Sequence, residues 1–342
     1  MLMKKFGVAA ALILCAFSAS ASNFRGADQV YIPAAGHATG SSGTFISDVY
    51  ISNLSSEDVD VSVIYQAAGA VGGPGIEFPK IIKLKGHERK EYLDFFVSAL
   101  NQTGNQFGQL IFNGCLKDQD CGPATQDDDG VSEHFRPIAV TSRIYQVPNP
   151  DPALPAPERR QTGQLFTGIP WYNFVSSLQE TNELDEVYIT GLTNTGTAGQ
   201  VGTFRANIGL VNASQYSTTT LRVTLFQGTK TTADQKAQKE IQLGPLGSLL
   251  LGFNDAALFP GLTGANFFVT IEQINSNPTS DAPDGCTSGC PAFLAYGSVL
   301  DNASGDATTL EAVYLRELSL AAISVIYPNS SGKTLMRRSV RH

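Results

Sequence analysis

The residues of this chain with the widest chemical scope are its cysteines, at positions 15, 115, 121, 286 and 290. Cys15 lies in the apolar run Val8–Phe17, which follows Lys4 and Lys5 and precedes Ala19-Ser20-Ala21. A basic start, an apolar stretch too short to cross a bilayer and a small-x-small site are the parts of a secretory signal peptide. Residues 1–21 are therefore expected to be cleaved off after Ala21, taking Cys15 with them. A lipid anchor on Cys15 would need a small residue where Leu14 stands. Four remaining cysteines in an exported chain argue for disulfides. Of the three pairings, Cys115–Cys121 with Cys286–Cys290 is favoured, because each pair lies within one loop and any other choice demands a specific docking of distant segments. Closing loops that short contributes about 2–3 kcal/mol at most. One rival is a zinc site of four thiolates, against which stand the oxidising compartment and the placing of the pairs in different domains; a catalytic dithiol would want Cys-x-x-Cys, which is absent.

Two acidic segments carry possible ligands for a hard cation. Asp127-Asp128-Asp129 is one. In the other, Asp301, Asn302 and Asp306 surround Gly305. Calcium takes clustered carboxylate and carbonyl oxygens in such loops, so these three are the candidate calcium-binding residues. They also suit a polar turn between strands, and the glutamate that closes an EF-hand loop is missing. No other cofactor is expected. Trp171 and Tyr172 are the candidate ligand-binding aromatics, able to stack on a sugar. Packing is the alternative for them, since Ile169-Pro170 echoes Ile32-Pro33 as if both opened a repeat. His37, His87, His134 and His342 share no metal-ligand spacing, and His37 reads as a solvent-facing turn residue with a base as the sharper option. Gly-x-Ser-x-Gly and His-Glu-x-x-His are absent, so no catalytic residue is nominated.

The elements that must position these residues repeat. Gly43-Thr44-Phe45 matches Gly202-Thr203-Phe204, and Asn53 matches Asn212, both at a spacing of 159. Each copy reads as a strand, a polar turn starting at asparagine and a second strand. Val59, Val61 and Val63 in the first, and Leu221, Val223 and Leu225 in the second, alternate with other residues. A period of two marks strands half buried in a sheet. Residues 81–94 parallel 239–253, Phe107–Phe112 parallels Phe267–Ile271, and Ile138–Tyr145 parallels Phe293–Leu300. No helix alternates with these strands, which excludes a parallel α/β sheet and leaves antiparallel sheets closed as a sandwich or a barrel. Lys90–Leu100 and Asn254–Phe259 are each suited to a turn or two of helix.

Composition sets the class. The chain has 342 residues, net charge −8 and only 16 % charged residues, with 33 glycines. Such a balance excludes nucleic acid as a partner, which calls for clustered Lys and Arg, and 42 % hydrophobic residues exclude disorder. No later segment reaches membrane-span length. The expected layout is a first domain over 27–147, a proline-rich linker over 148–163, a second domain over 164–327 and a basic tail over 328–342. Leu310–Tyr327 holds strand material beyond what the first repeat accounts for, suited to sealing a sheet or adding to a neighbour's edge.

Ile32-Pro33-Ala34, Gly43–Asn53, Gly202–Asn212 and Ser298-Val-Leu-Asp-Asn-Ala-Ser-Gly-Asp306 together resemble a group of largely uncharacterised exported bacterial proteins with tandem repeats. The resemblance covers about residues 30–310 and implies an all-β fold of two tandem immunoglobulin-like antiparallel β-sandwich domains. It carries over no catalytic residue, and the cysteine pairs and the tail depart from its pattern. The functional expectation is a secreted, extracellular or periplasmic protein that binds, adheres or supports structure at the cell surface, with an extracellular protein, a glycan or another copy of itself as partner. A carbohydrate-binding module and an extracellular hydrolase are the alternatives.

Overall fold

The computed structural model describes residues 26–40, 43–119, 134–148, 162–170, 186–197, 199–253, 259, 261–280 and 292–315. The leader, the tail and Asp127–Asp129 lie outside them. The first half contains β1 (Gln29–Gly40), β2 (Gly43–Asn53), β3 (Val59–Ala67), β4 (Ile76–Leu84), β5 (Arg89–Tyr92), α1 (Phe95–Ser98), β6 (Gln106–Leu116), β7 (Ile138–Pro148), β8 (Thr162–Thr167) and β9 (Ile169–Pro170). The second contains β10 (Glu186–Asn194), β11 (Phe204–Asn212), β12 (Ser217–Gln227), β13 (Gln235–Leu243), β14 (Ser248–Gly252), β15 (Gly264–Pro278), β16 (Phe293–Asp301), β17 (Ala307–Glu311) and β18 (Val313–Leu315). Among the described residues the fold is all-β apart from the single turn of α1, and its sheets are antiparallel. No helix among them is long and apolar enough to cross a membrane.

The pairing order repeats. In the second half one sheet runs β13-β12-β15-β10-β18 and another runs β14-β11-β16-β17. The first half has the same neighbours, β4-β3-β6-β1-β9 and β5-β2-β7-β8, joined because β1 serves both. Gln29–His37 of β1 pair with β6, with an irregularity between Ile32 and Ala35, and Ala38–Gly40 pair with β2. These four sets are called here sheets A (β5-β2-β7-β8), B (β4-β3-β6-β1-β9), C (β14-β11-β16-β17) and D (β13-β12-β15-β10-β18). Val49, Ile51 and Val140 of A share one core with Val30, Val61, Val63 and Phe112 of B. Ile208 and Leu210 of C likewise share one with Val223, Leu225 and Val269 of D.

The repeat extends further than the sequence pattern indicated. β8 pairs with β7, and Tyr31 and Val30 of β1 pair with Ile169 and Pro170. Ile169-Pro170 thus closes the first half; its structural counterpart is β18, which pairs with β10, and not Ile32-Pro33. The expected boundary at 163/164 falls inside β8. β17 and β18, the described part of the strand material expected over 310–327, correspond to β8 and β9; residues 316–327 lie outside the described residues.

The expected two-disulfide framework needs correction: no disulfide bond joins any two described residues. Cys121, Cys286 and Cys290 lie outside them. Cys115, buried in β6, is disulfide-bonded, and its partner is outside the described residues. Within them, backbone pairing does the tying: Cys115 bridges Phe135, Leu116 N–H donates to the His134 carbonyl, and Arg136 N–H donates to that of Gly114.

A seam between the halves with a cleft at its edge

Strands buried on both faces explain how the halves meet. In β6, Leu110 and Phe112 point into the core shared by A and B, so Ile111 between them points out, and it is fully buried. Ile111 packs with Tyr31 and Ile64 of sheet B against Val211 and Leu294 of sheet C and Leu246 of the β13–β14 turn. The outer faces of B and C therefore form a third apolar layer. Its sequence signal is continuous apolar runs, Leu110-Ile111-Phe112 and Phe293-Leu294-Ala295-Tyr296, in place of alternation.

The β3–β4 loop grips that turn through backbone groups. Gly69 and Ser248 exchange N–H···O bonds of 2.9 and 3.0 Å, Gly73 N–H donates to the Pro245 carbonyl at 2.8 Å, and Gly244 N–H to that of Ala70 at 2.7 Å. Gly72 has φ +66°, and a Cβ there would lie 2.0 Å from the Pro245 carbonyl oxygen. Only glycine meets both demands. The fully buried Gln109 amide donates to the Leu246 carbonyl at 2.7 Å, and the Tyr31 hydroxyl reaches the Ala213 carbonyl at 3.4 Å.

A cleft of about 480 Å³ opens at the rim of this seam, where β8 and the link to β9 face β16 and β17. Leu165, Phe166, Ile169, Val187, Leu294 and Tyr296 give it apolar walls, and Glu311 is the one carboxylate on its lining. The Phe166 and Tyr296 rings meet edge to face, centroids 5.1 Å apart at 84°. Gly209 makes this possible, since a Cβ there would fall 2.1 Å from the Tyr296 ring. Burial pushes the Tyr296 hydroxyl well above the usual phenol range, and burial does the same to Tyr31, with a smaller effect of Tyr216. Two contacts cross beside the cleft: Thr309 Oγ1 donates to the Leu165 carbonyl at 2.7 Å, and Gly163 N–H donates to Asp306 Oδ1 at 3.1 Å. An apolar concavity of this size with few polar groups is the common form of a ligand site.

The residues singled out by sequence are scattered. Asp301, Asn302 and Asp306 do come together, in the β16–β17 hairpin. Asp301 Oδ1 accepts the N–H groups of Ala303 and Ser304, both at 2.8 Å. The bonds from Ser304 and Ala303 hold its carboxyl below the usual carboxylate range. Asn302 Oδ1 accepts from Arg205 at 3.2 Å, and its amide donates to Thr203 Oγ1 at 3.0 Å. These bonds account for the residue types as turn and strand-end fixtures. Among the described residues no group of three or more His, Cys, Asp and Glu gathers as metal ligands would. Trp171, Tyr172 and His342 lie outside the described residues. His37 is in β1 and not in a turn; its Nδ1 lies 2.9 Å from both oxygens of Asp94, whose N–H donates to Asp48 Oδ1. This pair secures the start of α1. Tyr31, Phe166 and Tyr296 are the site residues that pattern reading missed. No protein-family model matches the chain, and no curated protein is detectably similar to it in sequence.

Proposed function

We propose that this chain is an exported protein of two tandem immunoglobulin-like sandwiches that acts outside the cytoplasm by binding, in an adhesive or structural role at the cell surface. The leader-like residues 1–21 support export, and the resemblance of residues 30–310 to tandem-repeat exported proteins supports the sandwich reading. The cleft is the observation that carries the binding role. Its walls come from both halves, so the fused pair makes a site that neither half has alone. Its lining offers apolar contact and few groups that could move a proton, which suits retention of a ligand better than its conversion. The ligand part it would take is apolar, such as an aromatic ring or an acyl chain.

The test uses the full chain and the apolar dye 1-anilinonaphthalene-8-sulfonate. Saturable fluorescence enhancement at one site is expected, lost in Ala312→Trp, which fills the cleft, while the variant's melting temperature stays unchanged. Enhancement that never saturates, or that Ala312→Trp leaves intact, overturns the cleft as the site. Sequencing the chain recovered outside the cytoplasm should give Ser22 as its first residue; a chain that keeps residues 1–21 overturns export by cleavage.

A further inference from the structure

The outer face of sheet A differs from the other exposed faces. Cross-strand register places Arg89 beside Ser52, Glu91 beside Tyr50 and Arg143 beside Asp48. Val49 and Ile51 point into the core, so Asp48, Tyr50 and Ser52 point outward, and their partners share that face. The Arg89 guanidinium lies over the Tyr50 ring at 5.2 Å, and that of Arg143 over Tyr145 at 4.8 Å. Among the described residues, neither arginine has a carboxylate within ion-pair distance, whereas Arg136 meets Glu57 and Arg222 meets Glu240 and Glu272. The carboxylates of this face have neighbours of their own: Asp48 Oδ1 accepts from the Asp94 N–H at 2.9 Å, Asp48 lies close to Tyr145, and Glu91 is paired across the strands with Tyr50.

Beside Arg89 is a depression of about 280 Å³ lined by Tyr50, Ser52, Arg89, Ala139 and Thr141. Among the described residues the Ser52 and Thr141 hydroxyls have no hydrogen-bond partner. The depression therefore offers a guanidinium over an aromatic ring, two uncommitted hydroxyls and a small apolar surface at Ala139. A guanidinium fork matches a carboxylate or sulfate, hydroxyls match ring hydroxyls, and the volume suits one sugar ring. Arg143 is ~17 Å from Arg89 along the same face by strand geometry, which gives an extended ligand a second contact.

We propose that the outer face of sheet A binds an anionic polysaccharide, with the acidic group of one sugar on Arg89 and its ring over Ser52, Ala139 and Thr141. This site is separate from the seam cleft and stands or falls without it. The experiment is affinity electrophoresis of the full chain in gels containing polygalacturonate, dextran sulfate or neutral dextran. Retardation by polygalacturonate and none by dextran is expected. Arg89→Ala should weaken it about tenfold, as loss of a charge-assisted pair does, and Arg222→Ala, which removes the same charge from sheet D, should not. Retardation by dextran sulfate alone, with the same Arg89 dependence, keeps the site and assigns the acid as sulfate. The proposal is overturned if neither polyanion retards the chain, if dextran retards it equally, or if Arg89→Ala and Arg222→Ala behave alike. Arg89 is exposed on a short edge strand, so its loss leaves the core untouched.

Discussion

Asn53 and Asn212 show how much one side chain can fix. Asn212 is fully buried; its amide donates to the carbonyls of Ser217 at 2.7 Å, Gly244 at 2.8 Å and Leu243 at 3.3 Å, and its oxygen accepts from Ser214 N–H at 3.0 Å. Asn53 does the same work with Glu57, Lys85 and Ser55. Each asparagine locks the end of its second-strand turn to a later turn, which is why both copies of the repeat keep it. Asn212→Ala leaves several buried backbone groups without partners and should cost about 2–4 kcal/mol in urea unfolding. Asn212→Asp should be at least as damaging at neutral pH, because a carboxylate cannot donate to the three carbonyls. A loss below about 0.5 kcal/mol for the alanine variant would show that water replaces the side chain freely.

At the scale of elements, the β3–β4 loop and the β13–β14 turn act as a clasp. Gly72→Ala suffers both a left-handed backbone and a collision with the Pro245 carbonyl. Gly191, at φ +79° with open space around it, suffers the first alone. Gly191→Ala should therefore cost about 1–2 kcal/mol, and Gly72→Ala distinctly more. Calorimetry should show a single transition for the native chain and two for Gly72→Ala, as the halves melt apart. Equal costs for the two variants, with one transition each, would mean that the clasp does not couple the halves.

For the whole molecule, the arrangement of outer faces separates those that meet each other from those that meet water. Sheets B and C turn apolar residues outward and bury them on each other. The outer faces of A and D carry Arg89, Arg143, Arg222, Glu240 and Glu272 and stay open to water. The seam also makes stability pH-dependent at the alkaline end. Tyr31 and Tyr296 have hydroxyls raised by burial above the ordinary phenol value of about 10. A group whose folded-state pKa is raised contributes stability that is complete below the unfolded value and lost as pH rises toward the folded one. Stability should therefore fall as pH rises above about 10. Tyr296→Phe should make the fall shallower, as read from melting temperatures across that range. Absorbance at 295 nm should show these two phenols ionising only as the chain unfolds; their ionisation in the folded chain would contradict burial in the seam.

The repeated strands were legible in the sequence because alternation has a period of two wherever one face of a sheet is wet. The asparagine anchors were readable too, because each sits at a fixed place in a short local motif of strand and turn, whereas the full length of the repeat was not. The seam was not, because Ile64, Ile111 and Val211 look like any core residue until it is known which face each turns and what lies against it. Ile169-Pro170 was misplaced because a two-residue strand has no period to read. Which arginines on sheet A lack a carboxylate was settled by register across strands far apart in the chain. Sequence determined the strands and their pairing with water or core, since those depend on near neighbours. Tertiary structure alone determined the cleft and the arginine face, since both are made by contacts between residues more than 30 positions apart.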